Sequence, residues 1–283
     1  MLIINSAKET ERQTLSDFFE QTRFNNKHLD WRSIISWLGT DVFLTCRDNA
    51  ELVSTLVCPI LEADFCWIRA FHANTELSAF STWRPLLNEL ECRCQAPGIG
   101  TIYSISLSTW YSELLKQSGF FTTRQIITLQ KDIDPSHLIN DQLFPRIRAL
   151  TPADLIKVAD IDHTAFPPMW QLTKEDLSAA LKVSEYASVV TDMTGEIIGY
   201  MLSSQTNNSA HISRIAVLPT FQKQNVAKEL LDHLSLFLTK NGVRVASVNT
   251  SSDNPGALAL YKHHGFNLTD GSYPIYEKKI GLM

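Results

Sequence analysis

Short runs in which apolar and polar residues alternate are separated by stretches where apolar residues recur every three to four positions, so the chain predicts strands and helices in alternation. The clearest junction lies at residues 214–238. Ile215 and Val217 alternate as a strand, and Pro219, which has no N–H for a ladder, ends it. Val226, Leu230, Leu231, Leu234, Phe237 and Leu238 then make one helical face. Between them, residues 222–227 open a helix whose first N–H groups are unpaired and whose dipole favours an anion. Lys223 and Lys228 add positive charge there.

In chain order, the pattern predicts a strand at 2–4 and a helix from Ser6, read as a cap with Glu9. A hairpin follows at 42–46 and 51–58 about Asp48-Asn49, then a strand at 65–71 and a helix at 83–90. The first half ends with a strand at 101–107, a helix at 111–117 stopped by Gly119, and a strand at 124–129. Residues 131–145 are polar, with prolines at 135 and 145, and read as a linker. The same order then recurs. A strand at 147–150 leads to a helix capped by Thr151 with Pro152 in its first turn, and a hairpin turns at Thr194-Gly195. Strands at 211–217 and 243–250, a helix at 256–263 stopped by Gly265, and a strand at 276–279 complete it.

The recurrence has a register. Leu114-Leu-Lys-Gln-Ser-Gly-Phe120 precedes Leu260-Tyr-Lys-His-His-Gly-Phe266 by 146 positions, while Ser6 and Thr151 lie 145 apart. Duplication explains this spacing, giving domains at about 1–140 and 146–283.

The 283 residues suffice for two domains, and mean hydropathy is near zero. No apolar run reaches the ~18 residues of a membrane span, so no membrane partner is expected. The start lacks a signal-peptide core, so a cytoplasmic location is expected. A formal charge of −5 argues against nucleic acid as partner. Five cysteines, all in the first half, read as free thiols, and Cys92 and Cys94 have no matching pair, so no metal site is expected.

The 214–238 stretch resembles motif A of the GNAT (GCN5-related) N-acetyltransferases: an apolar-x-Val-x-Pro strand end, Gln222 at the Gln/Arg position, and Ala227 at the second Gly/Ala. Asn225 stands where that family carries glycine, and asparagine tolerates the left-handed backbone such a loop needs. Asn254-Pro-Gly-Ala257-Leu-Ala-Leu260-Tyr261-Lys-His-His-Gly265-Phe266 resembles the family's motif B. The likeness covers about residues 146–280 at the motif level, and the first half follows through the repeat.

The resemblance implies an α/β fold (α+β in some schemes): two tandem GNAT folds, each a mixed, mostly antiparallel central sheet flanked by helices. It implies acetyl-CoA as co-substrate and a primary-amine acceptor, either a protein N-terminus or lysine or a small molecule, and it allows a homodimer. The backbone of Ile215, Ala216 and Val217 would pair with pantetheine, while Gln222, Lys223, Gln224, Asn225, Val226 and Ala227 would hold the pyrophosphate. Asn254 and Ala257 would also contact CoA. Tyr261 would protonate the leaving thiolate. In the ribosomal-protein-acetylating branch a Glu stands twelve residues before the tyrosine; here Asn249 takes its place and can hold a water. His211 has a pKa suited to a base. Asp162, His163 and the run Phe166-Pro-Pro-Met-Trp170 fall where the family shapes its acceptor pocket. The first half offers Asn74-Thr-Glu76-Leu-Ser78 opposite the phosphate loop and Leu115 opposite Tyr261, so it reads as a degenerate copy. A non-catalytic acyl-CoA sensor and a scaffold are the competing readings.

Overall fold

A computed structural model describes residues 1–61, 64–134 and 144–281. In chain order its elements are β1 (Leu2–Ser6), α1 (Arg12–Gln21), β2 (Phe24–Lys27), β3 (Phe43–Asp48), β4 (Glu51–Val57), β5 (Phe65–Trp67), β6 (Ala70–Ala73), α2 (Glu76–Gln95), β7 (Thr101–Ile105), α3 (Thr109–Gln117) and β8 (Phe121–Asp132). The second half continues with β9 (Ile147–Ala149), α4 (Leu155–Ala165), α5 (Lys174–Lys182), β10 (Tyr186–Thr191), β11 (Ile197–Thr206), β12 (Ser209–Val217), α6 (Val226–Lys240), β13 (Val245–Ser251), α7 (Pro255–His263) and β14 (Asn267–Lys279). This is the mixed α/β architecture expected.

The chain forms two units, Met1–Gln125 with Tyr273–Met283, and Ile126–Ser272. In the first, five antiparallel strands lie in the order β1-β3-β4-β6-β2, and β7 pairs parallel with β5 and antiparallel with the end of β14. Leu44, Leu56, Phe71, Trp83, Leu86, Leu87 and Tyr111 fill its core. In the second, β9, β10, β11 and β12 are successive antiparallel neighbours, β13 joins β12 in parallel, and β8 pairs antiparallel with β13. Met201, Ile212, Val217, Leu230, Leu231, Leu234 and Val248 form the core beneath α6.

The units do not follow the expected division at 1–140 and 146–283. Ile126–Asp132 pair with β13 over its whole length, which places them in the second unit, while Ile275–Lys279 pair with β7 in the first. The two halves of the sequence have exchanged their closing strands. Residues 135–143 of the expected linker lie outside the described residues.

Other expectations shift locally. Ser6 ends a strand rather than capping a helix; the cap is two residues later, where the Lys8 N–H donates to Glu11 at 2.9 Å. Thr151 does cap with Asp154, whose carboxylate accepts from its N–H at 2.8 Å. The strand at 65–71 is broken at Ile68-Arg69 into β5 and β6. The helix at 83–90 begins at Glu76 and runs through Pro85, so an interior proline did not mark its start. β2 and α5 were not anticipated: Phe24-Asn-Asn-Lys27 has too little alternation to read as a strand.

Candidate active site

β12 and β13 pair only along Ser209–Ile212 and Val245–Val248. On its other side β12 continues with β11, but the register jumps from Ser203↔Ile212 to Leu202↔Arg214, so Ser213 is the extra residue of a bulge. A bulge bends its strand and ends pairing on one edge. From Arg214 to Val217, β12 is therefore paired with β11 alone, and a gap opens towards β13. The Leu218 N–H bonds the Ile198 carbonyl on the β11 side. By alternation, Ile215 and Val217 turn their backbone groups to the gap. Gln222 reaches back into this region, its Nε2 donating to the Val217 carbonyl at 3.1 Å.

At the end of the open strand, a turn at Pro219–Phe221 leads into α6. Lys223 and Asn225 both lie in the left-handed region, at φ 59° and 64°. Asn225 thus adopts the angles expected of it, and its side chain makes no capping bond. Gln224 closes the turn through its Nε2 to the Thr220 carbonyl at 2.9 Å. The first backbone bond of α6 runs from Glu229 to Asn225 at 2.9 Å, so the N–H groups of Val226, Ala227 and Lys228 remain as donors at the dipole's positive end. Lys228 pairs with Asp232 at 2.5 Å. We expect Asn225→Gly to leave CoA affinity within about threefold, because glycine takes a left-handed angle freely. A titration showing a loss above about tenfold would assign the asparagine side chain a contact of its own.

Tyr261 lies on α7, buried in the cluster beneath α6. Asn254 caps α7, accepting from the Ala257 N–H at 3.0 Å, with Pro255 at the first helical position. Tyr261 is 4% exposed and its ring meets Phe266 edge-on at 5.7 Å. Burial pushes its phenol well above the usual range, and the Arg214 guanidinium pulls it part of the way back. Among the described residues its hydroxyl has no hydrogen-bond partner.

The face away from α6 carries the other candidates. Ile212, Ile215 and Val217 pack with α6, and the bulge leaves both His211 and Arg214 on the opposite side. Val248 is also in the α6 core, so Ser247 and Asn249 share the face of His211. His211 Nδ1 lies 2.9 Å from Ser247 Oγ, and burial lowers its pKa. Asn249 Oδ1 accepts from the Thr128 hydroxyl at 2.9 Å, a partner on the exchanged strand β8 that sequence reasoning missed. It also missed Tyr200 and the role of Arg214, which converge on Asp162. The available signal was Asp162 itself, a carboxylate on the apolar face that Val158 and Ile161 mark on α4.

The first unit repeats the scaffold with its gap closed. Phe65↔Thr101 to Trp67↔Tyr103 form the parallel ladder, and the strand breaks just beyond it. There β6 is paired along Ala70–Ala73 by β2, the chain's own Phe24–Lys27. Asn26 is buried, its Nδ2 donating to the Ile105 carbonyl at 3.0 Å and its Oδ1 accepting from the Leu107 N–H at 3.1 Å. Thr75 fills the cap of α2 by accepting from the Ser78 N–H at 3.1 Å, with Glu76 in the first turn, and Leu115 is buried.

The acetyltransferase (GNAT) family model matches residues 155–266. The ribosomal protein bS18-alanine N-acetyltransferase of Escherichia coli (strain K12) is 28% identical over 121 residues, covering 43% of this chain and 80% of that one. A mycothiol acetyltransferase of Jonesia denitrificans is 24% identical over 172 residues, 55% of each chain. The GCN5-related N-acetyltransferase of Sphaerobacter thermophilus superposes with TM-score 0.61 at 16% identity, covering 99% of this chain and 96% of that one. A tandem GNAT protein of the clavulanic acid biosynthesis pathway superposes with TM-score 0.64 at 10% identity, covering 99% of both. Residues 155–266 thus match the acetyltransferase (GNAT) family model, and over nearly its whole length the chain shares the fold of a tandem GNAT protein.

Proposed function

We propose that this chain is an N-acetyltransferase that passes the acetyl group of acetyl-CoA directly to a primary amine, and that its second unit does the chemistry. The observation that carries this reading is the open edge of β12. It runs from the Ser213 bulge to the free N–H groups of α6, with the unpartnered hydroxyl of Tyr261 coming from α7. In the first unit β6 is paired by β2, which supports reading the open edge of β12 as the place where an added strand would fit.

Acetyl-CoA supplies the thioester. The N–H groups of Val226, Ala227 and Lys228 with the 222–225 turn would hold its pyrophosphate, Ile215 and Val217 its pantetheine arm, and Asn254 and Ala257 would flank it on α7. Tyr261 would donate a hydrogen bond to the departing thiolate; because a thiolate of pKa near 8.5 is a weaker base than a phenolate, the proton is shared in the transition state, the phenol stays protonated and CoA leaves as the thiolate or takes its proton from solvent. The amine must lose a proton before it attacks. Asn249, with its oxygen engaged by Thr128, is left to orient a water through its N–H groups, and His211 on the same face can accept the proton.

Burial lowers the His211 pKa from its ordinary value, which favours the neutral imidazole. A base with a depressed pKa works above that value and is lost as pH falls through it. We therefore expect kcat/KM to fall on the acid side, with that limb absent in His211→Asn if His211 is the base. An unchanged acid limb in the variant assigns the limb elsewhere.

An α-amino group is the favoured acceptor. The Escherichia coli relative is named for N-acetylation of an alanine, and at pH 7 roughly one α-amine in ten is uncharged against fewer than one lysine in a thousand. The test is release of CoA from acetyl-CoA with a panel of Ala-initiated peptides, lysine peptides with blocked N-termini, polyamines and aminoglycosides. Amine-dependent release supports the reading. CoA binding with no release for any amine points to a sensor, and no binding points to a scaffold.

A further inference from the structure

Asp162 lies on α4 with no exposed surface and receives four hydrogen bonds. Its Oδ1 accepts from the Leu172 N–H at 2.8 Å and from Arg214 Nη2 at 2.9 Å; its Oδ2 accepts from the Tyr200 hydroxyl at 2.5 Å and from Arg214 Nε at 2.8 Å. Arg214 Nη2 donates also to the Trp170 carbonyl at 2.6 Å, and the guanidinium stacks 3.5 Å from the centre of the Phe166 ring. Residues 166–172 are fastened further from within: Gln171 Nε2 donates to the carbonyls of His163 and Phe166 at 2.8 and 3.0 Å, and His163 Nε2 lies 3.0 Å from the Leu172 carbonyl.

Arg214 is the first residue of β12 beyond the bulge, where the gap to β13 begins. The segment is thereby tied to the mouth of the gap, on the face that carries His211 and Asn249. A buried ion pair is a poor source of stability, since apolar side chains of equal volume commonly serve as well, while breaking one leaves a charge without a partner. What this one adds is direction. A carboxylate and a guanidinium joined by two bonds, with a phenol on the same oxygen, fix the angle between α4, β11 and β12 more tightly than apolar contact does.

We propose that Asp162, Tyr200 and Arg214 form a latch that holds residues 166–172 at the mouth of the β12/β13 gap and so sets the acceptor side of the site, with Asp162 and Arg214 as positioning residues. This rests on the acetyltransferase reading above. The latch touches the acceptor's wall and not the donors on α6, so its loss should separate the two substrates.

The test uses the full chain with Asp162→Asn, Arg214→Lys and the milder Tyr200→Phe. The acceptor is whichever member of the amine panel wild type turns over fastest, with an Ala-initiated peptide as first probe. Acceptor KM should rise ~10–100-fold in the first two variants and ~3–10-fold in the third, since small misplacement of a positioning group costs on that scale. The KM for acetyl-CoA should stay within about threefold. Hydrogen exchange should show residues 166–172 losing protection while α6 keeps it. Parallel rises in both KM values, or an unchanged acceptor KM, would overturn the latch. Should Asp162→Asn fail to fold, Tyr200→Phe decides by the same criteria. Should wild type release no CoA with any amine, the acetyltransferase reading fails; exchange then decides the latch, which is overturned if protection of 166–172 is unchanged in Tyr200→Phe.

Discussion

Replacing Tyr261 by Phe is expected to lower turnover by about 10–10³-fold while leaving folding and CoA affinity nearly unchanged. The ring stays where it is, buried and edge-on to Phe266, and the helix that aims it is set at the other end by the Asn254 cap and Pro255. Only the hydroxyl goes, and among the described residues it satisfies no other group, so its removal strands no partner there. This separates the variant from an ordinary core substitution, where a lost hydrogen bond would cost stability. The lower end of the range applies if the thiolate, with a pKa near 8.5, leaves well without a proton. Full turnover in Tyr261→Phe, with the chemical step shown to limit the rate, would leave Tyr261 a packing residue.

The second large effect concerns the exchanged strand. A segment of residues 146–283 is expected not to fold as an acetyl-CoA-binding domain, although it contains both motifs. It lacks Ile126–Asp132, which pair with every residue of β13 from Ser251 to Val245, and it lacks Leu129 and Ile133 from the core beneath α6. Losing two buried aliphatic side chains costs about 2–5 kcal/mol each, before counting a stripped strand edge, against a total stability of about 5–15 kcal/mol. Thr128 would go as well, and with it the partner that orients Asn249. The segment 126–272 keeps all of these and should recover a cooperative thermal transition and CoA binding. If 146–283 melts cooperatively and binds CoA as the full chain does, β8 is dispensable and the exchange is incidental.

These two expectations mark what local pattern could and could not reveal. The strand end at Pro219, the left-handed Asn225 and the cap at Asn254 were legible because each depends on residues within one turn of its neighbours. Turn chemistry and capping are local, so a single sequence carries them. The exchange of β8 and β14 was not legible, because a strand's alternation tells which face is buried but not which partner it has. The same limit hid β2: three polar residues in Phe24–Lys27 are an unpromising strand until Asn26 is seen bridging Ile105 and Leu107. The Asp162 latch lay between. A carboxylate on an apolar helix face demands a partner, but its arginine and tyrosine are 52 and 38 residues away, and periodicity does not reach that far.

The first unit carries the same contrast. Its phosphate-loop counterpart has a filled cap and an acidic first turn, its strand edge is paired, and Leu115 stands in the tyrosine's place.

The central claim is that acetyl-CoA lies in the β12/β13 gap of the second unit with its thioester at Tyr261, and a crystal structure of the full chain grown with acetyl-CoA tests it most directly. One molecule per chain is expected, its pyrophosphate on the N–H groups at the start of α6, its pantetheine arm bonded to the backbone of Ile215 and Val217, and its sulfur within hydrogen-bond reach of the Tyr261 hydroxyl. Acetyl-CoA bound along β6 in place of β2, or held in the second unit with its sulfur turned away from Tyr261, would contradict it.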